Sequence, residues 1–448
     1  MKTTKALFAV STVAASALLW AACSARVGPG GTTIDRDDIA GVVTGASGPE
    51  AGVWVIAETS DLPTKFARIV VTDDQGRYLV PDLPPASYDV WVRGYGLVDS
   101  RKQRAQPGTT LNLQASPAPT PRAAAEYYPA GYWYSLLKVP AESEFPGTGP
   151  EGNGINPAIK TQAEYLRPLK NGACLGCHQM GSKGTRELLP ALGTFESSAL
   201  AWARRLASGQ AGNAMMGTVQ QMGAPRTLRM FADWTDRIAA GEVPPAPPRP
   251  RGIERNVVIT MWDWADPKAY LHDLVSTDRR NPTVNANGPV YAVLEASADY
   301  LPVLDPKTHT VSRVPVTVRD PSTQRPGPVA APSPYWGTEA IWTSQANVHN
   351  PMFDETGRVW ITSRVRGPDN PAFCKAGSSH PSARVFPLNN SGRHLAMYDP
   401  KTKEMKHIST CFGTHHLMFA EDANRTLWTS GGTAITSPAA ASACQLIA

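Results

Sequence analysis

Histidine is scarce in this chain and unevenly spread. The 448 residues hold nine histidines, and between Ser24 and Leu271 there is one, His178. A zinc site built on histidine therefore has no partners in that stretch. Charge is also sparse. Charged residues make up 18% of the chain and the formal net charge is +5. Without Lys2 and Lys5, which belong to a leader, the balance is 5 − 2 = +3, too mild for a nucleic-acid partner. No glycine-rich phosphate loop of the required form occurs, so no nucleotide site is expected. After the first twenty residues no apolar run is long enough to span a membrane.

What is present points to an exported, multidomain, globular chain. Hydrophobic residues make up 42%, and 41 prolines and 37 glycines are present, which favours β-rich units joined by stiff linkers. The length allows two to four domains. Residues 1–25 read as an export signal, with Lys2 and Lys5 as the basic region and Ala6 to Trp20 as the apolar one. Two processing outcomes stand: lipidation of Cys23 after Ala21-Ala22, where Trp20 replaces the usual leucine, or plain cleavage near Ser24 or Ala25. Both lead to the periplasm or the outside. Lipidation would make the chain an outer-membrane lipoprotein, with Cys23 as its single membrane contact.

Cysteine is scarce too, and four of the six have an expected use. Cys374 and Cys411 form a plausible disulfide in an oxidising compartment, and Cys444 is then unpaired. Cys174-Leu-Gly-Cys177-His178 reads C-x-x-C-H, the attachment motif for c-type haem. The two thiols would form thioethers to the haem, and His178 would reach the iron as proximal ligand. The alternatives are a redox C-x-x-C with a chance histidine, or half of a zinc site. One covalent haem c is expected. A sixth ligand would be a methionine: Met215 first, with Met216 and Met222 as alternatives. Met215 and Met216 are expected in a loop, 211–217, between a helix over 196–208 and a second over 225–240.

Before the haem motif, alternating apolar residues separated by turn signals predict strands from Asp38 to Gln114. The run Thr72-Asp-Asp-Gln-Gly76-Arg-Tyr78-Leu-Val-Pro81-Asp-Leu83-Pro84, followed by Tyr88-Asp-Val90-Trp-Val92, resembles the carboxypeptidase regulatory-like domain. That resemblance implies a small Ig-like β-sandwich over 37–115, accessory rather than catalytic. Trp54, Trp91 and Tyr95 are expected to pack it, with carbohydrate or partner binding as the alternative. The stretch from Arg229 to Glu242 is similar to the last helix of single-haem cytochromes c, which implies an all-α cytochrome c domain over 122–243. Proline-rich linkers, Ser116 to Pro121 and Val243 to Pro250, bound it.

From Arg255 onward the sequence repeats. Leu304-Asp305-Pro306-Lys307-Thr308 returns as Tyr398-Asp399-Pro400-Lys401-Thr402. His349-Asn-Pro-Met-Phe353, with Val359-Trp360-Ile-Thr362 after it, returns as His415-His-Leu-Met-Phe419, with Leu427-Trp428-Thr429 after it. Such strand–turn–strand units mark a β-propeller. The pattern resembles the propellers of virginiamycin B lyase, which implies a propeller over 255–448 and a channel histidine acting as base near a divalent metal. The blades visible are too few to close a ring, so the propeller is expected to be incomplete here, with a partner for Cys444 beyond the end. His349 and His415 match the repeated motif, and His272, beside Asp273, is a further candidate; His416 adjoins them. The bland alternative is that these histidines cap strands.

The expected fold class is thus multidomain: sandwich, all-α cytochrome c domain, propeller. Three functions fit. One is electron transfer by an exported haem c protein, coupling a propeller-borne site or an external redox partner protein to a redox chain. A second is a lyase or hydrolase acting on a small molecule or polymer, with His349, His415 or His272 as catalytic base and a divalent metal nearby. The third is a polymer-binding surface scaffold with a haem sensor. An oxidoreductase is thus the first enzymatic expectation and a lyase the second.

Overall fold

A computed structural model describes residues 26–27, 33–264, 266–431 and 444–447. The leader, Cys23 included, lies outside the described residues.

The N-terminal unit is two sheets around one core. Strands β1 (Ile39–Gly45), β2 (Trp54–Thr59), β3 (Phe66–Val71), β4 (Arg77–Val80) and β5 (Tyr88–Arg93) form its body. β2 lies between β3 and β5, and β4 pairs antiparallel with β1 in the second sheet. Alternation sends Val55, Ala57, Phe66, Val70, Tyr88, Val90 and Val92 inward, where they are buried against Ile39, Val43 and Val80. Trp91 is buried with Lys102 over its ring, and Trp54 meets Tyr95 edge-on. The linker residues Ser116–Pro117 are drawn into a short pairing with Leu97–Val98.

The sheet that holds β2 and β3 is finished by a distant part of the chain. Strand β6 (Val258–Trp262) pairs antiparallel with β3 over five residues, Val258 to Val70 through Trp262 to Phe66. The start of the 255–448 segment thus belongs to the first unit. An alternating strand shows which faces are apolar but not which edge it will cover. The proline-rich linker leads back to this edge: Arg249 donates to Glu50 Oε2 at 2.6 Å and to the Tyr95 carbonyl at 3.0 Å.

The expected fold class is corrected on two counts. First, the described residues are mostly β-sheet with eight short helices, and no central all-α cytochrome c domain is evident. Over the middle segment run α1 (Pro121–Ala125), α2 (Ala130–Tyr134), α3 (Gln162–Lys170), α4 (Lys183–Arg186), α5 (Ser198–Leu206), α6 (Gly212–Met222) and α7 (Ala224–Ala239). Only α6 and α7 exceed nine residues. Between α2 and α3 lie Pro140, Pro146, Gly147, Gly149, Pro150, Gly152, Gly154 and Pro157. Proline lacks the donor a helix needs and glycine loses most entropy in one, so that stretch stays irregular. What holds the segment together is one apolar cluster: Trp133, Tyr165, Leu169, Trp202, Met230, Phe231, Trp234 and Ile238. Met230, Trp234 and Ile238 recur at four-residue spacing along α7 and form its inner face.

Second, no closed propeller forms among the described residues. The C-terminal segment makes three antiparallel meanders of four, four and three strands. The first is β7 (Leu274–Val275), β8 (Val290–Ala292), β9 (Tyr300–Asp305) and β10 (Thr310–Pro315). The second is β11 (His349–Phe353), β12 (Val359–Ser363), β13 (His394–Asp399) and β14 (Glu404–Ile408). The third is β15 (Leu417–Phe419), β16 (Leu427–Ser430) and β17 (Cys444–Ile447). Three sheets cover too small an arc to complete a ring. The repeat read in the sequence has a local cause. Asp305 Oδ1 accepts from the Lys307 N–H and Asp399 Oδ1 from the Lys401 N–H, each at 2.8 Å, so the same side chain closes the same hairpin twice. Cys374, in the insertion between β12 and β13, is disulfide-bonded to Cys411, just after β14. The first insertion, residues 319–346, reaches the helical segment: Gln210 exchanges hydrogen bonds with the backbone of Trp342, and Tyr335 donates to the Gly184 carbonyl.

Candidate functional site

Two places gather the chemistry-bearing residues: the turn carrying Cys174, Cys177 and His178, and the junction where the three meanders meet.

The turn follows α3 directly. Thr161 caps that helix by accepting from the Glu164 N–H, while Glu164 accepts from the Thr161 N–H. Pro168 lies near the end of α3, and its carbonyl accepts from the Cys174 N–H at 3.1 Å. Gly172 has φ 109°, a left-handed value only glycine takes without strain. The chain then makes one helical turn, with the His178 N–H on the Cys174 carbonyl at 3.0 Å. Cys174 and Cys177 are both free thiols. Cys174 packs at the edge of the helical core beside Tyr134; Cys177 and His178 are exposed. Burial, and then Cys177, pushes the Cys174 thiol up, whereas the reactive cysteine of a redox C-x-x-C is pushed down. Desolvation, and then the Arg205 guanidinium, lowers His178, which disfavours a proton on its ring.

The sixth-ligand candidates separate by burial. Residues 211–217, expected as a loop, form the first turns of α6, where alanine, methionine and glutamine favour helix. Met215 and Met216 are half-buried there; Met222 is 1% exposed, enclosed in the helical core.

The junction arises from the repeat. Each meander begins with its innermost strand, and a histidine stands at the start of each: His272 before β7, His349 opening β11, His415 and His416 before β15. These first strands lie side by side, so sequence positions far apart meet. The Thr362 hydroxyl lies 3.0 Å from the His349 carbonyl and 2.9 Å from the His415 carbonyl, tying two meanders together. The His349 ring stacks on His415 with centroids 4.4 Å apart and planes 8° apart, and His272 lies 4.4 Å from His349 on another side. His349 is 1% exposed. Two carboxylates face it: Asp273 Oδ2 and Glu295 Oε1, each 3.6 Å from its Nδ1. Arg393 donates to Glu295 and, at 2.9 Å, to Asn347.

The surroundings disfavour a proton on His349 and His415. Burial, then Arg393, pulls His349 down to about 4 against the partial opposition of Glu295 and Asp273. Burial, then His416 and Arg393, lowers His415. Burial alone would raise the Glu295 carboxyl, but the Arg393 hydrogen bond and charge hold it below its ordinary value.

No family model matches the chain, and no curated protein matches it.

The resemblances read in the sequence thus rest on their motifs alone. Sequence reasoning picked out His272, His349, His415 and His416, and the structure brings all four together. It missed Glu295 and Arg393. Both lie outside the repeated motif, and Glu295 reaches the junction with φ 38° in a loop no pattern marks. It also missed Tyr270. That phenol is raised by desolvation and then by Cys177, Glu295 and Asp273, so it feels both places at once; its ring meets His272 edge-on at 5.5 Å. The expectation that these histidines merely cap strands does not describe His349, since neither of its ring nitrogens has a hydrogen-bond partner.

Proposed function

We propose that this chain is an exported haem c protein that transfers electrons, with haem attached at Cys174 and Cys177 and His178 as the proximal ligand. The observation that carries this reading is the turn itself: two free thiols and an imidazole on one helical turn, with Cys177 and His178 exposed. That donor set suits a thioether-linked haem, and Cys177 and His178 lie open to a flat group arriving from outside. When bound, the haem supplies a one-electron couple at the iron. The protein supplies the rest. Cys174, packed beside Tyr134, anchors one attachment point to the helical core. Arg205, near His178, disfavours a proton on that ring and keeps it available to a metal. Met215 is the proposed sixth ligand, with Met216 as its alternative.

Export fits this reading, because haem c is attached outside the cytoplasm. No helix among the described residues is long and apolar enough to cross a membrane. Tyr270, shared by the turn and the histidine junction, favours coupling to a site within the C-terminal meanders, with an external redox protein as the other end of the chain. Elimination with His349 as base is disfavoured, since a ring 1% exposed cannot reach a substrate.

The test is the pyridine haemochrome spectrum of the full chain produced with periplasmic maturation. One haem c per chain is expected; a chain that matures without covalent haem overturns the reading.

A further inference from the structure

The junction holds a group of atoms that nothing in the protein satisfies. Four buried side-chain atoms there lack any hydrogen-bond partner: His272 Nδ1, Asp273 Oδ2, and both ring nitrogens of His349. An unpaired buried polar atom costs on the order of 1–3 kcal/mol, and four gathered in one place call for a reason. Among the described residues of the meanders, no other buried side-chain nitrogen or oxygen lacks a partner. Buried His394 accepts from the Val365 N–H and meets Ser391 Oγ at 3.1 Å, and buried Asn370 is bonded on both ends of its amide.

The orphaned atoms have the spacing of a coordination shell. His272 Nδ1 lies 3.1 Å from Asp273 Oδ2, and His349 Nδ1 lies 3.6 Å from the same oxygen. Donors placed about 2.1 Å from one ion stand about 3.0–3.4 Å from each other. The three residues each offer an atom within 4.8 Å of the others. The chemistry of the donors is equally specific. Two imidazoles and one carboxylate suit a divalent first-row transition metal, whereas magnesium and calcium take oxygen donors. Outside this shell Glu295, fixed by Arg393, lies 3.6 Å from His349 Nδ1. The stacked His415 ring holds His349 from the other side.

We propose that His272, Asp273 and His349 bind one divalent transition-metal ion, through His272 Nδ1, Asp273 Oδ2 and His349 Nδ1. The site deepens the electron-transfer reading, since it would place a second metal centre beside Tyr270, within the same chain as the haem. Metal binding itself stands apart from that reading and is measured separately from haem content.

The experiment uses the untagged full chain matured in the periplasm, dialysed against a chelator and titrated with Zn²⁺ by calorimetry, with bound zinc counted by elemental analysis. One equivalent of zinc is expected, undisturbed by millimolar Mg²⁺. Asp273→Asn and His272→Gln each keep the side-chain size and are expected to weaken zinc binding by more than about tenfold. His349→Ala is expected to abolish it, and if that variant fails to fold the two conservative variants carry the test. His416→Ala is expected to leave it unchanged. Failure of the unaltered chain to bind zinc, equal binding by Asp273→Asn and His272→Gln, or displacement by Mg²⁺ would each overturn the proposal. So would loss in His416→Ala with retention in Asp273→Asn, which would move the ion to His349, His415 and His416. The haemochrome of the same sample reports the haem reading on its own, so either can fail without the other.

Discussion

The two sites hold their donors in opposite ways. At the turn the donors are open: Cys177 and His178 are exposed, and both thiols are free. At the junction the donors are closed in: His349 is 1% exposed, and its nitrogens have no partner and no water-accessible surface. An open donor costs nothing while it waits, because water satisfies it. A closed donor is under tension until something enters. On the proposed reading, the turn suits a large group added late, and the junction a small ion that completes the interior.

The largest effect should come from breaking the open side. Cys174→Ala with Cys177→Ala should remove all covalent haem, seen as loss of haem staining on a denaturing gel, and leave the zinc stoichiometry at the junction as it was. If zinc binding falls with the haem, the two sites are not independent and the contrast fails.

Next is acid. His394 is buried with its nitrogens satisfied, and burial, then Arg366, pulls it down to about 3. Its folded pKa is depressed below the ordinary value. The stability it contributes is thus complete above about pH 6.5 and is lost as the pH falls toward 3, a loss on the order of several kcal/mol. His349 pushes the same way, ending near pH 4. Denaturant melts from pH 7 to pH 3 should show a steep fall, shallower in His394→Gln. An unchanged slope in that variant would assign the acid sensitivity elsewhere.

A smaller effect sharpens the closed side. Saturating the metal-free chain with zinc to about a hundred times its dissociation constant should stabilise it by about 2.7 kcal/mol. Thermal melts should rise with zinc in the unaltered chain and stay flat in Asp273→Asn. The smallest change is Thr362→Val. It removes the hydroxyl shared between the His349 and His415 carbonyls, at a cost of about 1 kcal/mol, read in denaturant melts.

Much of the junction was legible in the sequence because a repeat carries position with it. Once His349 and His415 occupy matching places before Phe353 and Phe419, any regular stacking of the meanders brings them together. Glu295, Arg393 and Tyr270 stood outside the repeat, and their approach depends on loop conformations that no periodicity encodes. The turn was legible as a motif, but the fold around it was not. Helical spacing around Trp202 and along α7 located two helices. It did not reveal that prolines and glycines leave most of residues 135–161 irregular, so the all-α domain expected there does not form. The C-terminal repeat was read correctly as strands and hairpins, while the ring it implied depends on more sheets than the described residues contain.

Strand β6 has a consequence for how the molecule can be divided. Because Val258–Trp262 completes the sheet that begins with residues from the N-terminal unit, the helical segment leaves that sheet and returns to it. It is an insertion with both ends anchored on one platform. The same strand ends at Trp262, whose Nε1 donates to His309 Nδ1 at 3.0 Å and whose ring packs on Phe66. The platform thus grips the first C-terminal meander as well. A cut at the proline-rich linker, the obvious place to separate the parts, would strip the platform of its outer strand and expose the β3 edge to pairing with another chain. A stand-alone N-terminal fragment should carry the chain through Asp263, rejoined across the gap by a short linker in place of the helices.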